Sequence, residues 1–134
     1  MYLVHHPEGS DEPTRYNYQP LKLMSAEREM LERRTGKNFS DFTKDVLAGN
    51  SVCRRALLFM FIKREHPTTR YDDVDFAWGE LKLEYSRSEW EQMREMAAEQ
   101  MTGDQRAAAL ETFDKEIAEA YDDGQGKAPL PIAD

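Results

Sequence analysis

The side chains that could carry out chemistry in this chain are few, and they lack the spacings that known sites require. The histidines are His5, His6 and His66, and the one cysteine is Cys53. No histidine has a cysteine or another histidine at metal-ligand spacing, except the adjacent pair, which is typical of a chain end. A single cysteine excludes an internal disulfide and fits a reducing cytoplasm. We expect Cys53 to be a buried, small apolar residue.

Two further stretches resemble binding motifs, and neither fits its pattern. Residues 72–75, Asp-Asp-Val-Asp, look like the start of a calcium loop, but counting from Asp73 the glycine position is occupied by Trp78. Carboxylates favoured at a helix N-terminus explain these aspartates better. Residues 35–37, Thr-Gly-Lys, lack the spacing of a phosphate-binding loop. With no paired acid and base either, we expect neither an enzyme nor a protein that holds a metal or cofactor.

The element that organises the chain is the apolar run of residues 56–62, within Ser51–Pro67. Ser51 is a plausible N-cap, Lys63 and Arg64 suit a helix C-terminus, and Pro67 stops the helix. A helix that is apolar on every side must be surrounded by protein. Its apolar part is about 10 Å long, too short to span a bilayer core of about 30 Å. We therefore predict a buried central helix over residues 51–64.

The remaining apolar residues recur mainly at helical spacing, and they predict an all-α fold. We expect a small bundle of about five to six helices around the central helix. Capping patterns support several boundaries, such as Asn38 with Asp41, Ser88 with Glu91 and Thr102 with Gln105. The helices that we predict besides the central one cover residues 25–35, 39–48, 73–82, 89–101 and 103–121.

The two ends of the chain have no such periodicity. Residues 1–20 are expected to form an extended or flexible N-terminal arm, in which Tyr16 and Tyr18 lie either in a short strand or in an extended segment. Residues 122–134 have the composition of a disordered tail. Residues 21–121 are expected to form a single helical domain, a size that suits a modest core.

Charge argues against nucleic acid as the main partner. The formal net charge is −8, and residues 68–134 carry 7 basic and 17 acidic residues, whereas phosphate binding needs cationic side chains. Predicted helices 39–48 and 51–64 leave a helix-turn-helix as a less favoured alternative, because the second helix has no polar face to read bases. The N-terminus shows no apolar signal segment.

From residue 26 to residue 81, the order of elements resembles the tail assembly chaperones of long-tailed bacteriophages, especially those that infect actinobacteria. A Glu-rich helix leads into a Thr-Gly-Lys-x-Phe turn, Thr35–Phe39. A short helix ends at Ala48-Gly49, and a helix containing Ala56-Leu57-Leu58 ends in Lys63-Arg64 and Pro67. An aspartate-rich segment follows it, at residues 72–76. Phe59-Met60 departs from the pattern, where a Trp or a smaller aliphatic residue is expected.

The resemblance implies a non-enzymatic protein made in the cytoplasm of an infected bacterium. Such proteins bind the tape measure protein, keep it soluble and help recruit tail tube subunits. They tend to self-associate and are generally absent from the finished virion. The alternative is a structural head–tail or tail subunit, in which the N-terminal tyrosine arm and the C-terminal tail bridge neighbouring copies.

The residues expected to contact a client or a neighbouring subunit lie on the last two predicted helices. The apolar stripes of these two helices either form ordinary core or cover a partner's helix. The second reading follows if the upstream helices already supply the central core. Methionine adds an adaptable apolar surface. The candidate interaction residues are Trp90, Met93, Met101, Phe113 and Ile117.

Overall fold

The computed structural model describes residues 1–121, so the predicted disordered tail, residues 122–134, lies outside the described residues. The chain divides into two compact units. The first is Tyr2–Leu83, here called the mixed unit, and the second is Met1 together with the chain from Glu84 onward. In the second unit the described residues 84–121 hold two helices, here called the helical hairpin.

The prediction of an all-α fold is wrong, because the chain also forms a three-stranded antiparallel sheet. The strands are β1 (Tyr2–His5), β2 (Thr14–Asn17) and β3 (Leu81–Glu84), in the order β2-β1-β3. In the β1–β2 pair, Leu3 lies opposite Tyr16 and Val4 opposite Arg15. Strands of four residues place only two side chains on each face, which is too few to show an alternating pattern.

The segment with Tyr16 and Tyr18, predicted to be either a short strand or an extended segment, contains the edge strand β2. Both tyrosines pack within the mixed unit. The Tyr16 ring stacks on Phe61 at 5.0 Å between centroids. The residue after β2, Tyr18, is buried, and its hydroxyl lies 2.6 Å from the Thr43 hydroxyl. Burial raises the pKa of Tyr18, and the hydrogen bond with Thr43 partly opposes that rise.

Three helices complete the mixed unit: α1 (Ser25–Thr35), α2 (Phe39–Leu47) and α3 (Ser51–Glu65). The predicted buried helix is confirmed, since Cys53 and residues 56–61 of α3 are all buried. Its N-cap, however, is Asn50 and not Ser51, and the Asn50 side chain accepts a hydrogen bond of 2.9 Å from the backbone N–H of Cys53. Both α1 and α2 pack on α3.

At the starts of α1 and α2, the N-cap residues make no side-chain capping hydrogen bond. Met24 occupies the N-cap position of α1, so Ser25 is its first helical residue. Asn38 is at the N-cap of α2, but its side chain makes no capping hydrogen bond. The backbone N–H of Phe39 instead donates to Oε2 of Glu32, at 2.9 Å, from the preceding helix. The Glu32 side chain thus satisfies a backbone N–H at the start of α2 that the Asn38 side chain does not.

The predicted helix over residues 73–82 is wrong. Two short 3-10 turns, Tyr71–Asp73 and Trp78–Glu80, lead into β3. The Arg55 side chain explains the difference, because its Nε donates to the Val74 carbonyl at 2.7 Å and its guanidinium also bonds the Tyr71 carbonyl at 3.2 Å. An α-helix over residues 73–82 would need the Val74 carbonyl to accept from the backbone N–H of Trp78.

The helical hairpin consists of α4 (Arg87–Gln100) and α5 (Gly103–Glu119). Two helices were predicted here, and the structure has both. The capping box of α4 is Ser86 with Glu89, two residues before the predicted pair. The Glu89 carboxylate accepts from the Ser86 backbone N–H at 2.8 Å. Thr102 is at the N-cap of α5, without a side-chain capping bond.

Among residues 1–121, every helix is too short or too polar to span a membrane.

Candidate protein-interaction surface

The helical hairpin is held together at one end by three aromatic rings. Tyr85, just before α4, meets the Trp90 ring edge-on at 5.2 Å between centroids. Trp90 in turn lies 6.0 Å from Phe113 of α5, with the two rings tilted by 57°. Aromatic pairs at these separations add about 0.5–1.5 kcal/mol beyond the area that they bury. The cluster therefore fixes which faces of α4 and α5 meet.

Two arginines join the helices further along the hairpin. Nε of Arg94 lies 2.7 Å from Oδ1 of Asp114, forming an ion pair between α4 and α5. Nε of Arg106 donates to the Ala98 carbonyl at 2.9 Å, close to the turn. Asp114 is exposed and Arg94 is half-buried, and an ion pair at the protein surface contributes about 0.2–1 kcal/mol. The arginines set the alignment of the two helices more than their stability.

No residue of the described hairpin, residues 84–121, is fully buried. Its large apolar side chains are half-buried or exposed, and Met96 keeps 55% of its surface accessible. Two helices cover only one stripe of each other, so an amphipathic pair needs another surface to enclose its apolar side chains. Because residues 84–121 leave these side chains partly open to solvent, they form a candidate surface for a protein partner.

All five predicted interaction residues lie on this hairpin, or on the turn within it. The structure brings Trp90 and Phe113 into ring contact, and it leaves Met93, Met101 and Ile117 half-buried. Sequence reasoning missed Tyr85 and Met96. Tyr85 precedes the helix, so helical periodicity could not include it. Met96 lies three residues after Met93, a spacing that would have extended the stripe.

The hairpin also accounts for most of the chain's net negative charge. Residues 84–121 contain ten acidic and four basic residues, a net charge of −6. Residues 2–83 contain thirteen of each and are neutral. The acidity is thus a property of the surface that has exposed apolar residues, and it shapes the kind of partner that this surface can accept.

A second exposed apolar feature lies on the mixed unit, around Trp78. This ring keeps 63% of its surface accessible and lies 5.0 Å from the guanidinium carbon of Arg54. It borders a shallow groove of about 360 Å³ that also includes Val52, Phe76 and Asp75. Ser51, Arg55 and Tyr71 also line the groove.

Three arginines of α3, the helix that would read bases in the helix-turn-helix alternative, are engaged within the mixed unit. Nε of Arg54 donates to the Val46 carbonyl at 2.9 Å, and Arg55 bonds the segment after α3 as described above. Arg64 pairs with both carboxylate oxygens of Glu27, at 2.7 and 2.9 Å. These contacts turn the guanidinium groups toward protein acceptors and away from the role of phosphate contacts.

Residues 1–121 contain no group of three or more histidine, cysteine, aspartate or glutamate side chains that could hold a metal ion. Cys53 is buried, which raises the pKa of its thiol, whereas reactive thiols have a lowered pKa. No family model, curated protein or solved structure matches this chain. The basis for inferring what the protein does is therefore its own residues and geometry, together with the resemblance over residues 26–81.

Proposed function

We propose that this protein is a tail assembly chaperone of a long-tailed bacteriophage. In this role it binds the tape measure protein in the cytoplasm of the infected bacterium, keeps it soluble and helps recruit tail tube subunits. It self-associates, catalyses no reaction and is absent from the finished virion. The proposal rests on the ordered motifs between residues 26 and 81 and on one structural observation, the partly exposed apolar surface of the helical hairpin.

That observation carries the proposal because holding a client requires apolar side chains that the chaperone does not bury itself. The hairpin offers two half-buried aromatic rings in contact, Trp90 and Phe113. Three partly accessible methionines, Met93, Met96 and Met101, lie elsewhere on α4 and at its end. Aromatic residues dominate binding energy at protein interfaces. Methionine adapts its shape to different partners. The surface thus combines two aromatic rings held in contact with flexible methionine side chains.

Co-expression with the tape measure protein of the same genome tests the proposal. We expect the unmodified chaperone to keep the tape measure protein in the soluble fraction and to co-purify with it. The double variant Trp90→Ala/Phe113→Ala should lose both effects. Trp78→Ala is the matched control, since it removes an exposed tryptophan from the mixed unit. Loss of the complex in the control but not in the hairpin variant would contradict the assignment of the surface.

The alternative role, a structural tail or head–tail subunit, drew on an N-terminal tyrosine arm that bridges neighbouring copies. Tyr18 is buried, and Tyr16 is stacked on Phe61, so this pair is already engaged within one chain. The protein inventory of purified virions separates the two roles. A structural subunit is present in stoichiometric amounts, whereas we expect this protein to be absent.

A further inference from the structure

One exposed apolar feature of the mixed unit is the segment that leads into α1. Leu21 is 100% exposed and Met24 is 71% exposed, whereas Leu23 between them is buried. The backbone N–H of Leu23 donates to the Pro20 carbonyl at 3.4 Å and closes a 3-10 turn, Pro20–Lys22. The buried leucine and the closed turn fix this segment. Leu21 and Met24, here called the leucine knob, are therefore held out in solvent.

The groove beside Trp78, here called the Trp78 groove, can receive an apolar side chain. Val52, Phe76 and Trp78 line a volume of about 360 Å³, near the lower end of the range of about 300–1,000 Å³ for ligand pockets. The Trp78 ring lies against Gly49 and contacts the Arg54 guanidinium. A wall that is already fixed loses little freedom when a partner binds. The groove thus suits one or two apolar side chains.

The leucine knob and the Trp78 groove lie at opposite ends of α1. Met24 is at the N-cap of this helix, and Glu27 in its first turn pairs with Arg64 in the last turn of α3. At the other end of α1, the Arg34 guanidinium lies 4.2 Å from the ring of Tyr71, which lines the groove. The 11 residues of α1 span about 16 Å at 1.5 Å per residue. The knob therefore cannot fill the groove of its own chain.

We infer that the leucine knob of one copy docks in the Trp78 groove of a second copy, so that mixed units associate head to tail. This inference rests on the self-association in the proposed function and names its contact surfaces. Charge supports it, because the exposed Lys22 adjoins the knob and the exposed Asp75 lines the groove. Residues 2–83 carry thirteen basic and thirteen acidic residues, so two mixed units have no net repulsion to overcome.

The contact joins two different surfaces, and this decides how the assembly grows. Each added copy covers one knob and one groove and leaves one of each free. Such a heterologous contact forms a ring or an open chain and does not stop at a dimer unless the ring closes there. The contact is also small, and small interfaces are typical of weak, transient association. The average mass should therefore rise with protein concentration.

Sedimentation velocity of the full-length protein over a concentration series tests the inference. We expect Leu21→Asp and Val52→Asp each to weaken self-association by about tenfold or more, since each places a charge in an apolar contact. Both positions are exposed, and an acidic residue is favourable in the first turn of α3, so both variants should fold. Met96→Asp is the matched control, at a 55% exposed position of the hairpin, and should associate as the unmodified chain does.

Mixing the two variants distinguishes a knob-and-groove contact from other modes of association. The Leu21→Asp variant keeps an intact groove, and the Val52→Asp variant keeps an intact knob. An equimolar mixture should therefore form dimers with one copy of each, although neither variant associates alone. For the charged flanks, Lys22→Glu should weaken association, and Asp75→Lys in the same chain should restore it.

Three results would overturn the inference. The first is a mixture that stays monomeric. The second is self-association that neither variant weakens, which would leave the proposed function intact with a different contact surface. The third is an unmodified chain that stays monomeric while the tape measure protein still co-purifies with it, which would leave client binding intact. A monomeric chain that also fails to co-purify would refute the proposed function as well.

Discussion

Replacing Gly49 by alanine is a sharp test of how Trp78 is held on the mixed unit. Gly49 lies between α2 and α3 with a φ of 92°. A methyl group added there would lie 2.8 Å from the Cη2 atom of Trp78, which is closer than van der Waals contact allows. The indole ring of Trp78 therefore lies directly against Gly49. The guanidinium group of Arg54, from α3, contacts the same ring. We expect Gly49→Ala to lower the free energy of unfolding for two reasons. Alanine is strained at this backbone conformation, and its methyl group displaces the Trp78 ring.

The magnitude follows from these two contributions. A non-glycine residue in the left-handed region costs about 1–2 kcal/mol, and the smaller entropy of the unfolded alanine chain returns about 0.4–1 kcal/mol. The exposed ring can move away from the new methyl group, and the main loss is then its contact with Arg54, about 0.5–1 kcal/mol. We expect the free energy of unfolding to fall by about 1.5 kcal/mol in total.

Urea denaturation of four proteins measures both parts: the unmodified chain, Gly49→Ala, Trp78→Ala and the double variant. The cost of Gly49→Ala should fall by about 0.5–1 kcal/mol when Trp78 is already alanine, which is the coupling between the two residues. Gly36→Ala is the backbone control, because Gly36 has a φ of 70° and open space beside it. A Gly49→Ala variant as stable as the unmodified chain, or zero coupling, would refute the reasoning.

Three further predictions concern the core and the ionisable groups of the mixed unit. Leu31→Ala should lower the free energy of unfolding by about 2–5 kcal/mol, since Leu31 is 0% exposed, whereas Leu21→Ala, at a 100% exposed position, should change it by less than about 0.5 kcal/mol; equal effects in urea denaturation would contradict the burial. The hydrogen bond from Arg64 holds the pKa of Glu27 below its ordinary value, so the pair's contribution is present above the unfolded pKa of about 4.3 and is lost as the pH falls through the folded pKa. Glu27→Gln should therefore cost about 0.5 kcal/mol at neutral pH and nothing in acid, and a constant difference across that range would contradict the pairing. Burial raises the pKa of Cys53, so a thiol reagent should label it at a rate that follows unfolding, and rapid labelling of the native protein would argue against this.

The sequence predicted best what depends on local patterns. The α3 helix could be located because its apolar run leaves no polar face and because Pro67 follows it. The hairpin helices could be located from apolar residues at helical spacing. The start of α4 was misplaced by two residues for a simple reason. Two overlapping boxes, Ser86 with Glu89 and Ser88 with Glu91, fit the same pattern, and the local sequence cannot choose between them.

The parts that the sequence could not predict depend on contacts between distant residues. The segment from Tyr71 to Trp78 has helical spacing, yet Arg55 of α3 takes the carbonyls that a helix would use. Similarly, β1 and β3 are distant in sequence, and the Glu80 carbonyl accepts from the His6 backbone N–H at 2.8 Å. Pairing of this kind appears only when the chain is folded, because each strand alone is too short to be recognised.

The proposed interaction surface stays a prediction, and the distribution of buried residues bears on it. The candidates on α4 and α5 were chosen because the upstream helices already supplied a core. Among the described residues, every fully buried side chain does lie between Tyr2 and Leu81. The unit with the core is electrically neutral, whereas the hairpin without buried residues has a net charge of −6. Stability and partner choice thus depend largely on different residues. We expect Leu31→Ala to lower the free energy of unfolding, whereas Met96→Ala, at a 55% exposed position of the hairpin, should mainly weaken client binding.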